Sequence, residues 1–294
     1  MIIVKLWGGM CNQMFQYAFG YALAKRYHDE LKFDIDFYNH QPKHTGKRRC
    51  ISSGQFALTM MRTTKRPFPA TWLENRYVSH IIRYNMGCLI RLPHINFMME
   101  RLHKYYTEIP YVAGKVNYYD GYWPTNQYFQ DVEDEIRREF MPSPIVLSHV
   151  EKWRSSVKSD CCVAVHVRRG DYLNKINQGG VDNALGKKDF YEQAITYCVE
   201  RLDNPVFCFI SDDIEWCRET FANVENAVFV ENKGEEAAVI DLFSIAACEH
   251  GIMSASTFSW WGNWLRKDSE NSIVIMPNIK NVIPHFALDN WILI

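Results

Sequence analysis

Over most of the chain, short apolar runs alternate with longer stretches in which apolar residues return every three or four positions. Residues 1–7 and 31–37 read as strands. Between them, the stretch 12–27 sets Phe15, Ala18, Phe19, Ala22 and Leu23 on one side, as a helix with a buried face requires. After 37 the rhythm breaks, and helices are expected near 77–91 and 95–106, the second from Ile95, Met98, Met99 and Leu102. A strand over 116–122 and a helix over 126–140, carrying Phe129, Val132, Ile136 and Phe140, restore the alternation. Pro142 and Pro144 then punctuate the chain and mark a candidate hinge.

Beyond the prolines the alternation is regular, with strands expected near 161–167, 205–211, 226–230, 251–254 and 272–276 and helices between them. Asp189 is placed to cap a helix bearing Tyr191, Ala194, Ile195, Cys198, Val199 and Leu202. Repeated strand–helix units argue for parallel sheets covered on both faces. The expected fold class is α/β, with two doubly wound, Rossmann-like lobes facing a cleft. The expected units are 1–144, with a basic, aromatic, helical insertion near 40–110, and 145–294.

A chain of 294 residues that is 47% hydrophobic and 23% charged has material for two such cores. Its nine cysteines lack paired CxxC spacing and it contains no Asn-X-Ser/Thr sequon, which argues against a disulfide framework and for reduced thiols in a cytoplasm. The opening Met1-Ile2-Ile3-Val4-Lys5-Leu6-Trp7 is too short an apolar run for a signal peptide. No segment reaches the roughly 18 to 20 apolar residues of a membrane span. Net charge is −1 but uneven: twelve Lys or Arg stand against three acids between His40 and Pro110, among Trp72, Tyr77, Tyr84, Phe97, Tyr105 and Tyr106. Such a block suits nucleic acid, an anionic bilayer surface or a lipid-diphosphate-linked glycan, or is simply a solvated insertion.

The densest chemistry lies in Cys161-Cys162-Val163-Ala164-Val165-His166-Val167-Arg168-Arg169-Gly170-Asp171-Tyr172, an apolar strand entering a cationic turn. Strands of α/β proteins deliver ligand-contacting groups at their carboxyl ends, which puts His166 and Arg168 at a crevice rim. The planar fork of Arg168 suits phosphate; a solvated surface turn is the plainer alternative. Ser254-Ala255-Ser256-Thr257-Phe258-Ser259-Trp260-Trp261 reads as a strand end entering a helix, where hydroxyls and free amides from Ser256, Thr257, Phe258 and Ser259 suit a diphosphate. Asp212-Asp213 suits helix capping. Asp241 sits in an otherwise apolar helical stretch, a costly place for an unpaired carboxylate. The turn Gly8-Gly9-Met10-Cys11-Asn12-Gln13 follows the first strand without GxGxxG spacing, and Asn12 is placed either to cap the helix or to meet a ligand. Asp34-Ile35-Asp36 superficially resembles a metal-binding DxD, yet an isolated pair at a strand end is common without metal, and no His/Cys cluster suggests zinc. No metal is expected.

His166-Val167-Arg168-Arg169-Gly170-Asp171-Tyr172 matches the HxRRGDY motif of the glycosyltransferase family 11 α-1,2-fucosyltransferases. Three further segments resemble that family in order: Gly8 to Gly20 (GGMCNQMFQYAFG), Ile210 to Trp216 and Ser254 to Gly262. The resemblance covers about residues 1 to 280 and is to the bacterial type. It implies a GT-B-like fold and inverting transfer of L-fucose from GDP-β-L-fucose to the 2-hydroxyl of a terminal galactoside. GDP-fucose is then a substrate, and no metal or other cofactor is implied. The implied donor residues are His166, Arg168, Asp241, Ser256, Thr257, Phe258 and Ser259; Asn12, Asp171 and Asp120 join Arg168 as catalytic candidates, with Asp171 and Asp120 the candidate bases. Cys11 replaces a usual glycine, so a positive φ there would strain the turn. The implied partners are a galactose-terminated oligosaccharide or lipid-linked glycan and no nucleic acid, at a cytoplasmic location with peripheral contact to the inner membrane face. Another nucleotide sugar or linkage, or a noncatalytic glycan-binding protein, is the alternative.

Overall fold

The computed structural model describes residues 1–35, 94–100, 106–170, 188–267, 271–278 and 286–294. They divide into two compact units, Met1–Met141 and Pro142–Ile294. The expected helix near 77–91, most of the basic block, Asp36 and Asp171 lie outside the described residues.

The first unit holds an all-parallel sheet of β1 (Ile2–Lys5), β2 (Leu31–Asp34), β3 (Ile95–Met99) and β4 (Val116–Asp120), in the order β2-β1-β4-β3. Helix α1 (Met10–Tyr27) covers it, and its buried side extends beyond the expected stripe to include Met14 and Tyr17. A Cβ on Gly20 would lie 2.9 Å from both Val4 and Leu31, so glycine sets how closely α1 approaches the sheet. Phe19 stacks on the enclosed Trp123 ring, centroids 4.2 Å apart.

Two expectations in this unit fail. The run near 95–106 begins as strand β3, which joins the sheet edge rather than a helical insertion. Ile95 and Phe97 pack on Ile3 and Tyr118 at two-residue spacing, and a short run satisfying both periods is settled by available partners. The single helix expected over 126–140 is instead two 3-10 turns, Asn126–Tyr128 and Gln130–Val132, followed by α2 (Glu133–Glu139). Phe129, Val132, Ile136 and Phe140 are nevertheless all buried.

The second unit holds an all-parallel sheet in the order β10-β9-β8-β5-β6-β7. Its strands are β5 (Cys162–Val167), β6 (Val206–Ser211), β7 (Ala227–Phe229), β8 (His250–Ile252), β9 (Val274–Met276) and β10 (Ile292–Leu293), the last unexpected. The helices are α3 (Pro144–Ser156), α4 (Lys188–Val199), α5 (Ile214–Thr220), α6 (Ala237–Ala246) and α7 (Thr257–Trp264). Val163, Val165 and Val167 pack with Tyr191, Ala194 and Cys198, whereas Cys162 and Ala164 pack with Ile245 and Cys248. Both faces of β5 are thus covered, which explains its unbroken apolar run. Pro144 opens α3 behind the Ser143 cap, since a first helical residue needs no N–H. Asp189 is not a cap, because it lies inside α4 (Lys188–Val199).

Candidate functional site

The order of the second sheet defines where a ligand fits. From β5 the chain proceeds to β6 and β7 on one side, then returns to β8, β9 and β10 on the other. In such sheets the crevice lies at the carboxyl ends of the strands flanking the reversal, here β5 and β8. His166 to Gly170 leave β5, and Ser254 to Ser259 leave β8, so the structure brings together two segments 88 positions apart, joined by the His166–Ser254 bond.

His166 is buried, with Nδ1 2.5 Å from Ser259 Oγ and 3.2 Å from Ser254 Oγ. Burial, with the nearby Arg168 charge, pushes its pKa down to about 3, so the ring is neutral at pH 7. Ser259 Oγ accepts the Ser254 N–H at 3.1 Å and lies 3.0 Å from Ser254 Oγ, so the imidazole, the two hydroxyls and this amide form one buried network. The Phe258 ring stacks on His166 at 5.0 Å, and the Tyr191 hydroxyl donates to the His166 carbonyl. Ser256 caps α7 by accepting the Ser259 N–H at 3.2 Å. Trp260, Trp261 and Trp264 are core anchors, fully enclosed. At the far end of α7, the buried Arg266 bonds the Cys248 carbonyl and Asn263 Oδ1, and Gly251 leaves space for that amide.

Arg169 is held by the protein: its Nε donates to Asp213 Oδ2 at 3.1 Å and its guanidinium lies 3.7 Å over the Trp216 ring. Asp212 accepts the Arg169 and Gly170 N–H groups at 2.8 and 3.1 Å. Asp213 also caps α5 through the Trp216 N–H, as its position after β6 suggested. Arg168, half-buried, occupies the rim beside His166. Asp241 lies on α6 and accepts from Asn232 Nδ2 on Oδ1 at 2.7 Å, leaving Oδ2 without a partner among the described residues. Burial raises its pKa to about 6.

The remaining candidates lie in the first unit. Asn12 does not cap α1: the cap position is Gly9, and Asn12 is the third helical residue, its Nδ2 packed against Gly8. The positive φ of the turn, 83°, falls on Gly8, while Cys11 sits unstrained within α1, so replacement of a glycine there distorts nothing. Asp120 ends β4, buried, with Lys5 Nζ 2.7 Å from Oδ2. Asp34 is fully buried and accepts the Tyr118 hydroxyl at 2.6 Å, a structural role. Two residues that motif reading passed over organise this region. Gln16 accepts the Trp7 N–H and donates to the Trp7 and Gly121 carbonyls, tying the turns after β1 and β4 together. Glu100 accepts the Tyr122 and Trp123 N–H groups, and the sequence marked it only as one of three acids in a basic run.

Two parallel-sheet α/β units, one with a cationic turn at its reversal point, make an architecture of the GT-B-like kind. The solved structures agree: the NodZ α-1,6-fucosyltransferase matches with a TM-score of 0.55 at 12% identity, covering 96% of each chain. POFUT1 in complex with GDP-fucose matches with a TM-score of 0.52 at 14% identity, covering 92% of this chain and 95% of that one. The sequence profile of glycosyl transferase family 11 matches residues 1–284, and the chain belongs to that family of glycosyltransferases. An α-1,2-colitosyltransferase of Escherichia coli is 29% identical over 94% of this chain and 91% of its own length. The human galactoside α-(1,2)-fucosyltransferase 1 is 31% identical over 47% of this chain and 40% of its own. Among the described residues no helix is long and apolar enough to cross a membrane, and no cluster of His, Cys, Asp or Glu suits a metal.

Proposed function

We propose that the chain transfers L-fucose from GDP-β-L-fucose, with inversion, to the 2-hydroxyl of a terminal galactoside, forming an α-1,2 linkage. The carrying observation is the bonding of His166, two residues before Arg168, to Ser254 and Ser259 at the β5–β8 reversal, in a family 11 chain whose relatives bear α-1,2-transferase names. As the glycosidic bond to GDP breaks, positive charge grows on the sugar and negative charge on the β-phosphate. Arg168 and the amides at the start of α7, around Ser256, Thr257, Phe258 and Ser259, receive the phosphate charge. Neutral His166 orients the nucleotide, and Asp241 Oδ2 accepts from the guanine edge. Pro142–Ile294 is the donor unit in this reading and Met1–Met141 the acceptor unit, with Asn12 and Asp120 nearest the acceptor. Asp120 and Asp171 are the candidate bases for the galactose hydroxyl. The phosphate charge is met without a metal, and the basic block delivers lipid-linked acceptors at an anionic membrane face.

GDP release from GDP-fucose, in the presence of lactose, N-acetyllactosamine and type 1 and type 3 chains, tests this directly, with linkage read by NMR. A second donor belongs in the assay because of the colitosyltransferase relative: GDP-colitose, which lacks the 3-hydroxyl of fucose. Turnover of a UDP-sugar in place of either GDP-sugar overturns the donor assignment; a product linked elsewhere than at the 2-hydroxyl overturns the regiochemistry.

A further inference from the structure

The sheet of the first unit has its own reversal point. The chain leaves β1 toward β2 on one side and comes back through β3 to β4 on the other, so β1 and β4 flank the crevice position. Trp7 follows β1, and Asp120 to Tyr122 end and follow β4. The Trp7 and Tyr122 rings have centroids 3.9 Å apart with 32° between planes. Both are half-buried, whereas Phe15, Phe19, Tyr118, Tyr119 and Trp123 of the same unit are enclosed.

The polar groups beside this ring pair suit a neutral ligand. Lys5 is matched by Asp120 through Oδ2, and Oδ1 has no partner among the described residues. A Cβ on Gly8 would lie 3.2 Å from the Tyr122 ring and 2.7 Å from Asn12 Nδ2, which places ring and amide at one turn. Aromatic faces meet the C–H surface of a pyranose, while a carboxylate oxygen and an amide meet its hydroxyls. With its one lysine neutralised, this set lacks the excess positive charge that a phosphate needs.

The Tyr122 turn is held from below. Glu100, just beyond β3, accepts the Tyr122 N–H on Oε2 at 2.6 Å and the Trp123 N–H on both oxygens at 3.2 Å. Trp123 has a φ of 54°, unusual for a bulky residue, and Gly121 has no space for a Cβ against Glu100. This carboxylate therefore fixes a backbone that would otherwise relax.

We propose that this turn is an acceptor-sugar subsite: Trp7 and Tyr122 seat one face of the galactoside, Asp120 takes its hydroxyls, and Glu100 is the positioning residue that holds Tyr122 in place. The proposal rests on the galactoside reading above. The test compares wild type, Tyr122→Phe, Tyr122→Ala and Glu100→Gln, with lactose and GDP-fucose as probes. Lactose KM should rise roughly tenfold or more in Tyr122→Ala, the range of one lost aromatic contact, and less in Glu100→Gln. Tyr122→Phe should stay near wild type. Donor KM and the acceptor-independent hydrolysis of GDP-fucose should stay within about twofold in all. Saturation-transfer NMR should show lactose contact in wild type and its loss in Tyr122→Ala. Unchanged lactose KM in both Tyr122→Ala and Glu100→Gln, or donor KM rising in step with it, overturns the subsite. Failure of wild type to turn over GDP-fucose instead defeats the donor reading, and the NMR comparison still decides the subsite: lactose contact absent from wild type, or kept in Tyr122→Ala, overturns it.

Discussion

Arg169 lies face-on over Trp216, its guanidinium carbon 3.7 Å from the ring centroid, and this contact separates the roles of two adjacent arginines. Arg169 fastens the turn to α5, and Arg168 stands at the rim of the crevice. Arg168→Lys keeps the charge but not the planar fork, so kcat is expected to fall about 10²- to 10³-fold. Arg169→Ala should instead cost about 1–2 kcal/mol in urea denaturation, with a smaller kinetic loss. Equal kinetic losses in Arg168→Lys and Arg169→Ala, with no change in stability, would contradict the division.

His166 is held neutral in the folded protein, with its pKa at about 3. Below pH 6.5 the unfolded chain binds a proton that the folded chain refuses, so stability from this group is complete above 6.5 and declines as pH falls toward 3. The slope is roughly 1.4 kcal/mol per pH unit. Asp241 acts oppositely: with its folded pKa raised to about 6, the folded state takes a proton first, and acid from 6 downward relieves its burial. His166→Asn should therefore flatten the acid decline in denaturation midpoints, and Asp241→Asn should steepen it.

If Asp241 accepts from guanine, it must be ionised to bind. GDP affinity measured by calorimetry should weaken as pH drops through about 6, and Asp241→Asn should abolish that dependence while lowering affinity at pH 7. A pH profile identical in wild type and Asp241→Asn counts against the contact.

Asp34 is enclosed and engaged by Tyr118, which leaves the Asp34-Ile35-Asp36 pair a poor metal clasp. Turnover should persist in excess EDTA. Loss of activity restored by manganese or magnesium would reverse this expectation. Asp34→Ala should still harm the protein, through the buried Tyr118 hydroxyl left without its acceptor, at about 1–3 kcal/mol.

The basic block predicts salt-sensitive binding to anionic vesicles. Sedimentation with neutral and anionic liposomes should separate wild type from a triple glutamine variant at Lys47, Arg48 and Arg49, at roughly 1 kcal/mol per charge near the surface. Absence of wild-type binding to anionic vesicles at low salt would leave the block a solvated insertion.

The sequence by itself determined the strands and helices whose patterns are long or unambiguous. The apolar run of β5 and the 3- and 4-residue spacing of α1 each have one physical solution, and both formed as read. The capped start of α7 was legible for the same reason, because Ser256 acts there through local backbone chemistry. Shorter patterns needed partners. Residues 95–99 became a strand because β4 offered an open edge, and α1 begins at Met10 behind Gly9, which leaves Asn12 inside the helix rather than at its cap. Only the tertiary structure decided that Arg169 packs on Trp216, that His166 is neutral, and that Glu100 and Gln16 hold the first unit's turns. Each of these depends on groups distant in sequence: Trp216 lies 47 positions beyond Arg169, and Ser259 lies 93 beyond His166. Local periodicity carries no information about such encounters, because they arise where separate strands of a sheet end side by side.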